Sequence, residues 1–209
     1  MSVIASRTAE RSVRGRFVRG MTQILFVQGG GGTNAHDEWD NKLVDSLRRE
    51  LGDGHEVRYP RMPDEDDPTY AKWAPAIGKE IAALNDGAVV VGHSIGGTML
   101  IQALAEHPPK VRLGAIILVS APFVGEGGWP GEEFMLARDL GARLPRGVPV
   151  HLFQGLADET TPPAHANLYA HAIPQAEVNT LPGRDHQLNN DLGAVAKTIR
   201  ALEMRTASA

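Results

Sequence analysis

The chain has 209 residues, of which 42% are hydrophobic and 22% charged, as expected for one globular domain with a sizeable core. It contains no cysteine, which excludes disulfides, thiolate metal sites and a cysteine nucleophile. The formal net charge is −4, and no apolar run approaches the roughly 20 residues of a membrane-spanning helix.

Charge is distributed unevenly along the chain. Residues 1–20 hold five arginines and one acidic residue, whereas the remainder holds 16 basic and 24 acidic residues, a net charge of −8. The net charge of −8 on the residues after position 20 argues against nucleic acid or an anionic membrane as the main partner. We expect residues 1–20 to be a disordered basic tail or an over-extended start. Residues 21–205 are expected to form a single domain in the cytoplasm.

Short apolar runs rich in β-branched residues alternate along the chain with longer helical patterns. This alternation indicates strand–helix–strand units on a largely parallel sheet. Strands are predicted over residues 23–28, 56–59, 88–92, 114–119, 148–154 and 176–181. Helices are predicted over residues 39–51, 70–84, 95–106 and 192–202. The sequence therefore predicts a three-layer α/β fold, with a mostly parallel sheet of about six strands, helices on both faces and little or no lid.

The first predicted helix is amphipathic. Its apolar face is formed, at four-residue spacing, by Trp39, Leu43, Leu47 and Leu51. The charged residues outside this face are Asp40, Lys42, Asp45 and Arg48. We expect the apolar face to cover the sheet and the charged side chains to point away from it.

The stretch from Phe123 to Pro145 departs from the alternation of strands and helices. It begins with three glycines and a proline, and a helical pattern follows over residues 132–144. Such a segment is either a small cap over a site or a crossover helix with a long lead-in. We favour the crossover helix.

The pentapeptide Gly92-His93-Ser94-Ile95-Gly96 stands between the most strand-like run and an apolar helical pattern. It matches the G-x-S-x-G nucleophile elbow, in which a strand turns sharply into a helix and exposes a serine. Side chains at positions 92 and 96 would collide with the turn or with neighbouring strands, so glycine is needed there. The alternative is a glycine-rich turn with an incidental serine, but the strand–helix context favours the elbow.

A serine hydroxyl needs a base, and the base needs a carboxylate that holds it in the right tautomer. Asp158 lies four residues past the end of a predicted strand, and His186 lies in the loop before the last helix. The chain order Ser, Asp, His is typical of α/β-hydrolases. The alternatives are Glu159 as the acid and His36 as the base, and we interpret Asp185, next to His186, as solvated.

Two backbone N–H groups are needed to stabilise the oxyanion that forms when a serine attacks an acyl group. We predict Ile95 as one donor and either Gly30 or Gly31 as the other. Residues 29–32, four glycines that we call the glycine loop, could instead bind a nucleotide phosphate, but they lack the Lys-Ser/Thr of a P-loop and the G-x-G-x-x-G spacing.

Several side chains near these groups in the sequence are candidates for substrate binding. The side chains expected to bind substrate are those of His36, Trp39, His93 and Trp129. No pattern of metal ligands is present, so we predict neither a metal nor another cofactor.

The segments VVVGHSIGG, GLADETTPP and GRDHQLNND resemble motifs of the α/β-hydrolase superfamily, and the resemblance covers about Gln23–Leu202. FVQGGGGTNAHDEWDNKL and PRMPDEDDPTYAKW resemble the small, nearly lidless serine hydrolases related to retinoblastoma-binding protein nine and the bacterial YdeN type. The resemblance implies a triad of Ser94, Asp158 and His186, with Ile95 as an oxyanion donor. It also implies a short sheet, because the chain starts at what would be the third strand of larger members.

These inferences predict a serine hydrolase that cleaves a carboxylic ester, or a thioester or amide, of a small to medium acyl group through an acyl-serine intermediate. The expected partner is a small-molecule ester-type substrate, not nucleic acid, and no membrane span is expected. The sequence does not indicate the oligomeric state. A non-catalytic binding protein that retains the pocket, and an acyltransferase that uses the same residues, are the alternatives.

Overall fold

The computed structural model describes residues 21–131 and 133–207 of the chain. The predicted basic tail of residues 1–20 lies outside the described residues. Among the described residues, no helix is both long and apolar enough to cross a membrane.

One sheet of six strands forms the centre of the molecule. The strands are β1 (Thr22–Val27), β2 (His55–Arg58), β3 (Val89–His93), β4 (Ala115–Val119), β5 (Val150–Gly155) and β6 (Ala176–Leu181). Their order across the sheet is β2-β1-β3-β4-β5-β6, and every neighbouring pair is parallel. The predicted parallel sheet is confirmed, and each strand begins and ends within two residues of its predicted limits.

Helices cover both faces of the sheet. They are α1 (Asn41–Leu51), α2 (Tyr70–Ala82), α3 (Ser94–Glu106), α4 (Leu140–Arg143), α5 (His165–Ala172) and α6 (Gly193–Ala207). A π-helical turn spans Ala35–Asp40, and a 3-10 turn spans Leu188–Asn190. The side chains of β3 alternate between the layers, since Val90 packs in the core beneath α2 and α3 while Val89 and Val91 pack beneath α1 and α6. The predicted three-layer architecture is confirmed.

The first helix differs from the prediction at its N-terminal end. Leu43, Leu47 and Leu51 are buried as expected, but Trp39 is 54% exposed and Asp40 is 1% exposed. The predicted orientation of these two residues is wrong because residues 35–40 form a π-helical turn. A π turn holds more residues than an α turn, so residues before Asn41 are rotated about the helix axis relative to the predicted face.

The segment after β4 also differs from the prediction. The helix predicted over residues 132–144 is wrong, because only Leu140–Arg143 is α-helical. Upstream the backbone is held by irregular hydrogen bonds instead: Trp129 N–H donates to the Phe123 carbonyl at 2.9 Å, and Leu136 N–H donates to the Val124 carbonyl at 2.8 Å. A short helix that the sequence analysis missed, α5, follows Pro162 and Pro163, which suit the start of a helix.

Since all six strands are parallel, their carboxyl ends lie at one edge of the sheet. The strand order reverses between β1 and β3, and such a switch point leaves a crevice at the carboxyl edge where ligands bind in open α/β sheets. The segments after β1, β3, β5 and β6 meet at this edge. Ser94 and Ile95 begin α3 directly after β3, whereas Asp158 and His186 lie in the loops that follow β5 and β6.

Candidate functional site

The elbow is the junction of β3 and α3. Ser94 has a φ of 51°, a backbone conformation that non-glycine residues rarely adopt, and it is 8% exposed. A Cβ atom at Gly92 would lie 2.5 Å from the Cα of Gly97, and one at Gly96 would lie 1.9 Å from the carbonyl oxygen of Gln28. The surrounding backbone therefore leaves no room for a side chain at either position, so glycine is required at both.

The three residues that the sequence analysis selected for catalysis lie in a continuous chain of hydrogen bonds. Ser94 Oγ is 3.0 Å from His186 Nε2, and His186 Nδ1 is 2.9 Å from Asp158 Oδ2 and 3.1 Å from Asp158 Oδ1. Because Nδ1 faces a carboxylate, it carries the ring hydrogen, and Nε2 accepts a hydrogen bond from the serine hydroxyl. A histidine in this tautomer can take the serine proton as the hydroxyl attacks a substrate.

Asp158 is held as an anion in a buried position. Its side chain is fully enclosed, and it accepts hydrogen bonds from the backbone N–H groups of Thr160 at 2.9 Å and Thr161 at 2.8 Å, and from Gln154 Nε2 at 2.9 Å. Burial alone would raise the pKa of Asp158, but the hydrogen bond and charge of His186, together with these donors, hold that pKa below its ordinary value. The carboxylate is therefore ionised at neutral pH.

The alternative acids and bases lie elsewhere. Glu159 is exposed, and the exposed Asp185 accepts a hydrogen bond from the backbone N–H of Asn189 at 2.7 Å. The ring of His36 stacks on Tyr59 with centroids 4.0 Å apart, and its Nδ1 lies 2.7 Å from Asp37. None of these three alternatives is hydrogen-bonded to Ser94 or His186 in the described part of the chain.

The two candidate oxyanion donors in the glycine loop after β1 differ in the hydrogen bonds of their N–H groups. The N–H of Gly31 donates to the carbonyl of Glu65 at 2.9 Å, so it is already used. The N–H of Gly30 has no acceptor within residues 21–131 and 133–207. The N–H of Ile95 lies in the first turn of α3, where backbone N–H groups have no acceptor within the helix. Of the predicted donors, Gly30 and Ile95 thus keep an N–H group that is available, whereas Gly31 does not.

The four side chains predicted to bind substrate lie in different environments. Trp39 is exposed and its ring lies 5.4 Å from Lys42 Nζ. Trp129 lines a groove of about 710 Å³ between the segment after β4 and α5. His36 has both ring nitrogens in contact with protein atoms, and His93 is 1% exposed with both ring nitrogens paired. The two histidines are therefore placed for internal hydrogen bonds, whereas the two tryptophans have surface open to a ligand.

Sequence analysis missed a buried carboxylate at the centre of the site. Asp40 accepts the backbone N–H of Gly29 at 2.6 Å and lies 2.9 Å from His93 Nδ1. Its position after a tryptophan in an amphipathic pattern indicated a solvated side chain, and no local signal marked it as internal. Among the described residues, no group of three or more His, Asp and Glu side chains could hold a metal ion.

Comparison with known structures shows the fold. The ydeN gene product from B. subtilis is similar with a TM-score of 0.69 and 17% identity, over 88% of this chain and 99% of that chain. Est1E from Butyrivibrio proteoclasticus, solved with ferulic acid bound, is similar with a TM-score of 0.66 and 16% identity over 90% of each chain. The esterase domain of a Rhodothermus marinus protein is similar with a TM-score of 0.62 and 21% identity, over 91% of this chain and 89% of that chain.

A search of curated protein sequences found no significant match. The model of the alpha/beta hydrolase family, by contrast, matches residues 24–203. That range runs from β1 into α6 and includes the elbow and the loops of Asp158 and His186. The match covers most of the chain, and this protein belongs to the alpha/beta hydrolase family.

Proposed function

We propose that the protein is a serine hydrolase that cleaves a carboxylic ester of a small to medium acyl group, with Ser94 as nucleophile, His186 as general base and Asp158 as the orienting acid. The observation that carries the proposal is the hydrogen-bond chain of 3.0 Å from Ser94 to His186 and 2.9 Å from His186 to Asp158. Family membership supports hydrolase activity in general, and the serine mechanism is our own assignment.

In the first half of the reaction, Ser94 Oγ attacks the acyl carbonyl carbon while its proton passes to His186 Nε2. The negative charge that develops on the carbonyl oxygen is stabilised by the N–H groups of Gly30 and Ile95. Loss of one such donor typically raises the barrier by about 2.7 to 4 kcal/mol. The tetrahedral intermediate then collapses, the C–O bond to the alcohol breaks, and His186 returns its proton to the leaving oxygen.

In the second half, a water molecule enters the position of the alcohol. His186 Nε2 takes one of its protons as the water oxygen attacks the carbonyl of the acyl-serine. The bond between the acyl carbon and Ser94 Oγ breaks, the proton returns to Oγ, and a carboxylic acid is released. Asp158 stays ionised throughout and stabilises the imidazolium that forms twice in the cycle.

Structures similar to this chain include the esterase domain of a Rhodothermus marinus protein and Est1E with ferulic acid bound, and this similarity favours an ester over a thioester or an amide. A small to medium acyl group agrees with the absence of a long helical lid after β4, since the four-residue α4 is the only helix between β4 and β5 among the described residues.

A fluorophosphonate probe tests the nucleophile directly. Purified wild type is expected to be labelled at Ser94, located by peptide mass, and the variants Ser94→Ala and His186→Ala are expected to lose the label. Ser120→Ala is a matched control, because Ser120 is also buried at the end of a central strand with a positive φ of 49°. It should be labelled as the wild type is. A folded wild type without label would contradict the proposal and favour a binding protein.

A panel of esters with short to medium acyl chains then tests the substrate class. Hydrolysis that depends on Ser94 is expected, with one carboxyl oxygen of the product acid derived from water. If added alcohols divert most of the acyl group to new esters, the same residues serve an acyltransferase instead.

A further inference from the structure

A buried histidine–carboxylate pair lies beside the elbow and belongs to none of the groups that react in the proposed mechanism. His93, the last residue of β3, and Asp40, the last residue of the π-helical turn, have side chains that are each 2% exposed. His93 Nδ1 lies 2.9 Å from Asp40 Oδ2. Burial of two ionisable groups is costly unless they pair with each other and satisfy further hydrogen bonds.

The partners of the two ring nitrogens define the charge of His93. Nε2 lies 3.2 Å from the backbone carbonyl of His186, and because a carbonyl only accepts, Nε2 carries a hydrogen. Nδ1 faces Asp40, both of whose oxygens also accept hydrogen bonds, from Gly29 N–H at 2.6 Å and from Gln187 Nε2 at 3.3 Å. Three nitrogen atoms thus face the two oxygens of Asp40, an arrangement that suits an ionised carboxylate. It favours a hydrogen on Nδ1 as well, which makes His93 an imidazolium.

The electrostatic environment agrees with that assignment. Burial alone lowers the pKa of His93, but the charge of Asp40 and the hydrogen bonds to Asp40 and to the His186 carbonyl raise that pKa above its ordinary value. Burial likewise raises the pKa of Asp40, yet His93 and the other donors hold it below its ordinary value. Both shifts favour the ion pair over the neutral pair, and the charge of Asp158 also raises the pKa of His93.

The ion pair touches three segments that each supply one part of the proposed site. Asp40 binds the N–H of Gly29, the residue before the oxyanion donor Gly30. His93 directly precedes the nucleophile in the elbow and binds the backbone of His186, the general base. Packing between the segments is close, because a Cβ atom at Gly29 would lie 3.2 Å from both His93 Nδ1 and Ser94 Cβ.

We propose that His93 and Asp40 act together as positioning residues, whose ion pair fixes the glycine loop, the elbow and the His186 loop in one relative arrangement. This inference rests on the proposed function. The glycine loop presents a backbone donor and the His186 loop a backbone acceptor, so a buried anion and cation satisfy both with charge-assisted hydrogen bonds. A shift of about 1 Å in the reacting groups can lower the rate roughly 100-fold. An ion pair that fixes the three segments relative to one another therefore preserves the rate.

Two substitutions separate the pair without large changes in volume. Asp40→Asn removes the negative charge, and His93→Phe keeps a planar ring but removes both donors. Each is expected to lower kcat and the rate of Ser94 labelling by roughly 10- to 100-fold, with KM within about twofold of wild type, because reacting groups are displaced while substrate contacts remain. Since the two residues act as a unit, the double variant should lose no more than the worse single variant.

The matched control is His151→Phe. His151 is also a strand histidine, 5% exposed, but its Nδ1 lies 3.7 Å from Glu177 on β6. Rates are measured per folded molecule, with the folded fraction taken from urea unfolding. A loss in Asp40→Asn and His93→Phe at least about 10-fold greater than in His151→Phe supports the inference. Labelling of Asp40→Asn and His93→Phe at the wild-type rate overturns the inference and leaves the proposed function intact. A wild-type protein that is not labelled contradicts the inference and the proposed function together.

A second measurement does not depend on activity or on the folding of the Asp40 and His93 variants. In ¹⁵N–¹H spectra of the catalytically silent Ser94→Ala protein, His93 is expected to show two ring N–H signals at pH 7. An exposed histidine, with a pKa of about 6.5, is mostly neutral at that pH. A His93 ring with a single N–H would overturn the ion pair and the inference that depends on it.

Discussion

The carbonyl oxygen of Arg184 lies so close to Gly155 that a Cβ atom at residue 155 would be 2.2 Å from it. The same carbonyl accepts the N–H of Ala157 at 2.9 Å, and Leu156 N–H donates to the Leu181 carbonyl at 3.0 Å. The end of β5 is thereby joined to the loop that follows β6. The loops of Asp158 and His186 are held together by backbone contacts independently of the bond between their side chains.

Substitution of Gly155 should therefore damage stability and activity together. Gly155→Ala is expected to lower the free energy of unfolding by about 1 to 3 kcal/mol, because the new methyl group forces the two loops apart. It should also lower ester hydrolysis, since His186 moves away from Asp158. Urea unfolding and kcat measure the two effects. Gly54→Ala is the control, because no atom of the described residues other than Gly54 and its two chain neighbours lies within 4 Å of the point where its Cβ would be, and its stability should be unchanged or slightly higher.

Removal of the charge of Asp158 tests the role of the orienting acid. Asp158→Asn is expected to lower kcat by on the order of 10⁴, because an amide that donates to Nδ1 favours the tautomer in which Nε2 cannot accept the serine proton. The protein should remain folded. The measurement is kcat on an ester together with the fluorophosphonate labelling rate, and a variant that retains more than a tenth of wild-type kcat would contradict the assignment.

The same carboxyl group should contribute to acid sensitivity. The pKa of Asp158 is depressed in the folded protein below the value of about 3.9 expected when unfolded. Its stabilising contribution is therefore fully present above about pH 4 and is lost as the pH falls through the folded value. Urea unfolding between pH 7 and 3 should show a steeper loss of stability on acidification for wild type than for Asp158→Asn. Parallel curves would mean that the pairing with His186 does not stabilise the fold.

Gln28 connects the glycine loop to the 60–68 loop. Its side chain is buried, accepts the backbone N–H of Met62 at 2.9 Å and donates to Glu65 at 2.5 Å. Gln28→Ala leaves the Met62 N–H without its acceptor, which costs about 1 to 3 kcal/mol of unfolding free energy. It should also lower kcat, because Glu65 in turn holds the N–H of Gly31.

Gln23→Ala provides the comparison for Gln28→Ala. Gln28 follows the end of β1, whereas Gln23 lies near the beginning of that strand and likewise binds a backbone N–H, that of Asn85 at 2.8 Å. Because it is remote from the carboxyl edge, its loss should leave kcat at the wild-type value. Equal kcat losses in the two variants, measured at saturating ester, would show that Gln28 acts only through global stability.

The sheet and the elbow could be predicted because both are encoded locally. Apolar runs such as Val89–Val91 identify strands whose two faces are buried, and the spacing of Gly92, Ser94 and Gly96 matches a turn that tolerates no larger side chain at its ends. Chain order was then enough to select Asp158 and His186, which the structure brings within hydrogen-bond distance of each other.

Other parts of the site depend on contacts that are distant in sequence. The choice between Gly30 and Gly31 rests on the carbonyl of Glu65, more than thirty residues away. Asp40 was placed on the outer face of a helix because the projection assumed α-helical rotation, and the π-helical turn reverses its orientation. The helical pattern over residues 132–144 is interrupted at Leu136, whose backbone N–H donates to the carbonyl of Val124, a contact that no local pattern indicates.

Trp39 allows a test of the substrate surface that does not disturb the fold. Its ring is 54% exposed, and it directly precedes Asp40, which binds the glycine loop. A large exposed aromatic next in sequence to the residue that binds the glycine loop is suited to cover an apolar part of the substrate.

Trp39→Ala is expected to raise KM for esters with apolar groups by roughly 10-fold, which corresponds to loss of about 1.4 kcal/mol of apolar contact. Because the side chain is exposed, the free energy of unfolding should stay within about 0.5 kcal/mol of wild type. Lys42→Ala is the control, since it removes the cation 5.4 Å from the ring and keeps the ring itself. If KM is unchanged by Trp39→Ala across the whole ester panel, the alcohol and acyl groups bind elsewhere, and the groove lined by Trp129 becomes the surface to test with Trp129→Ala.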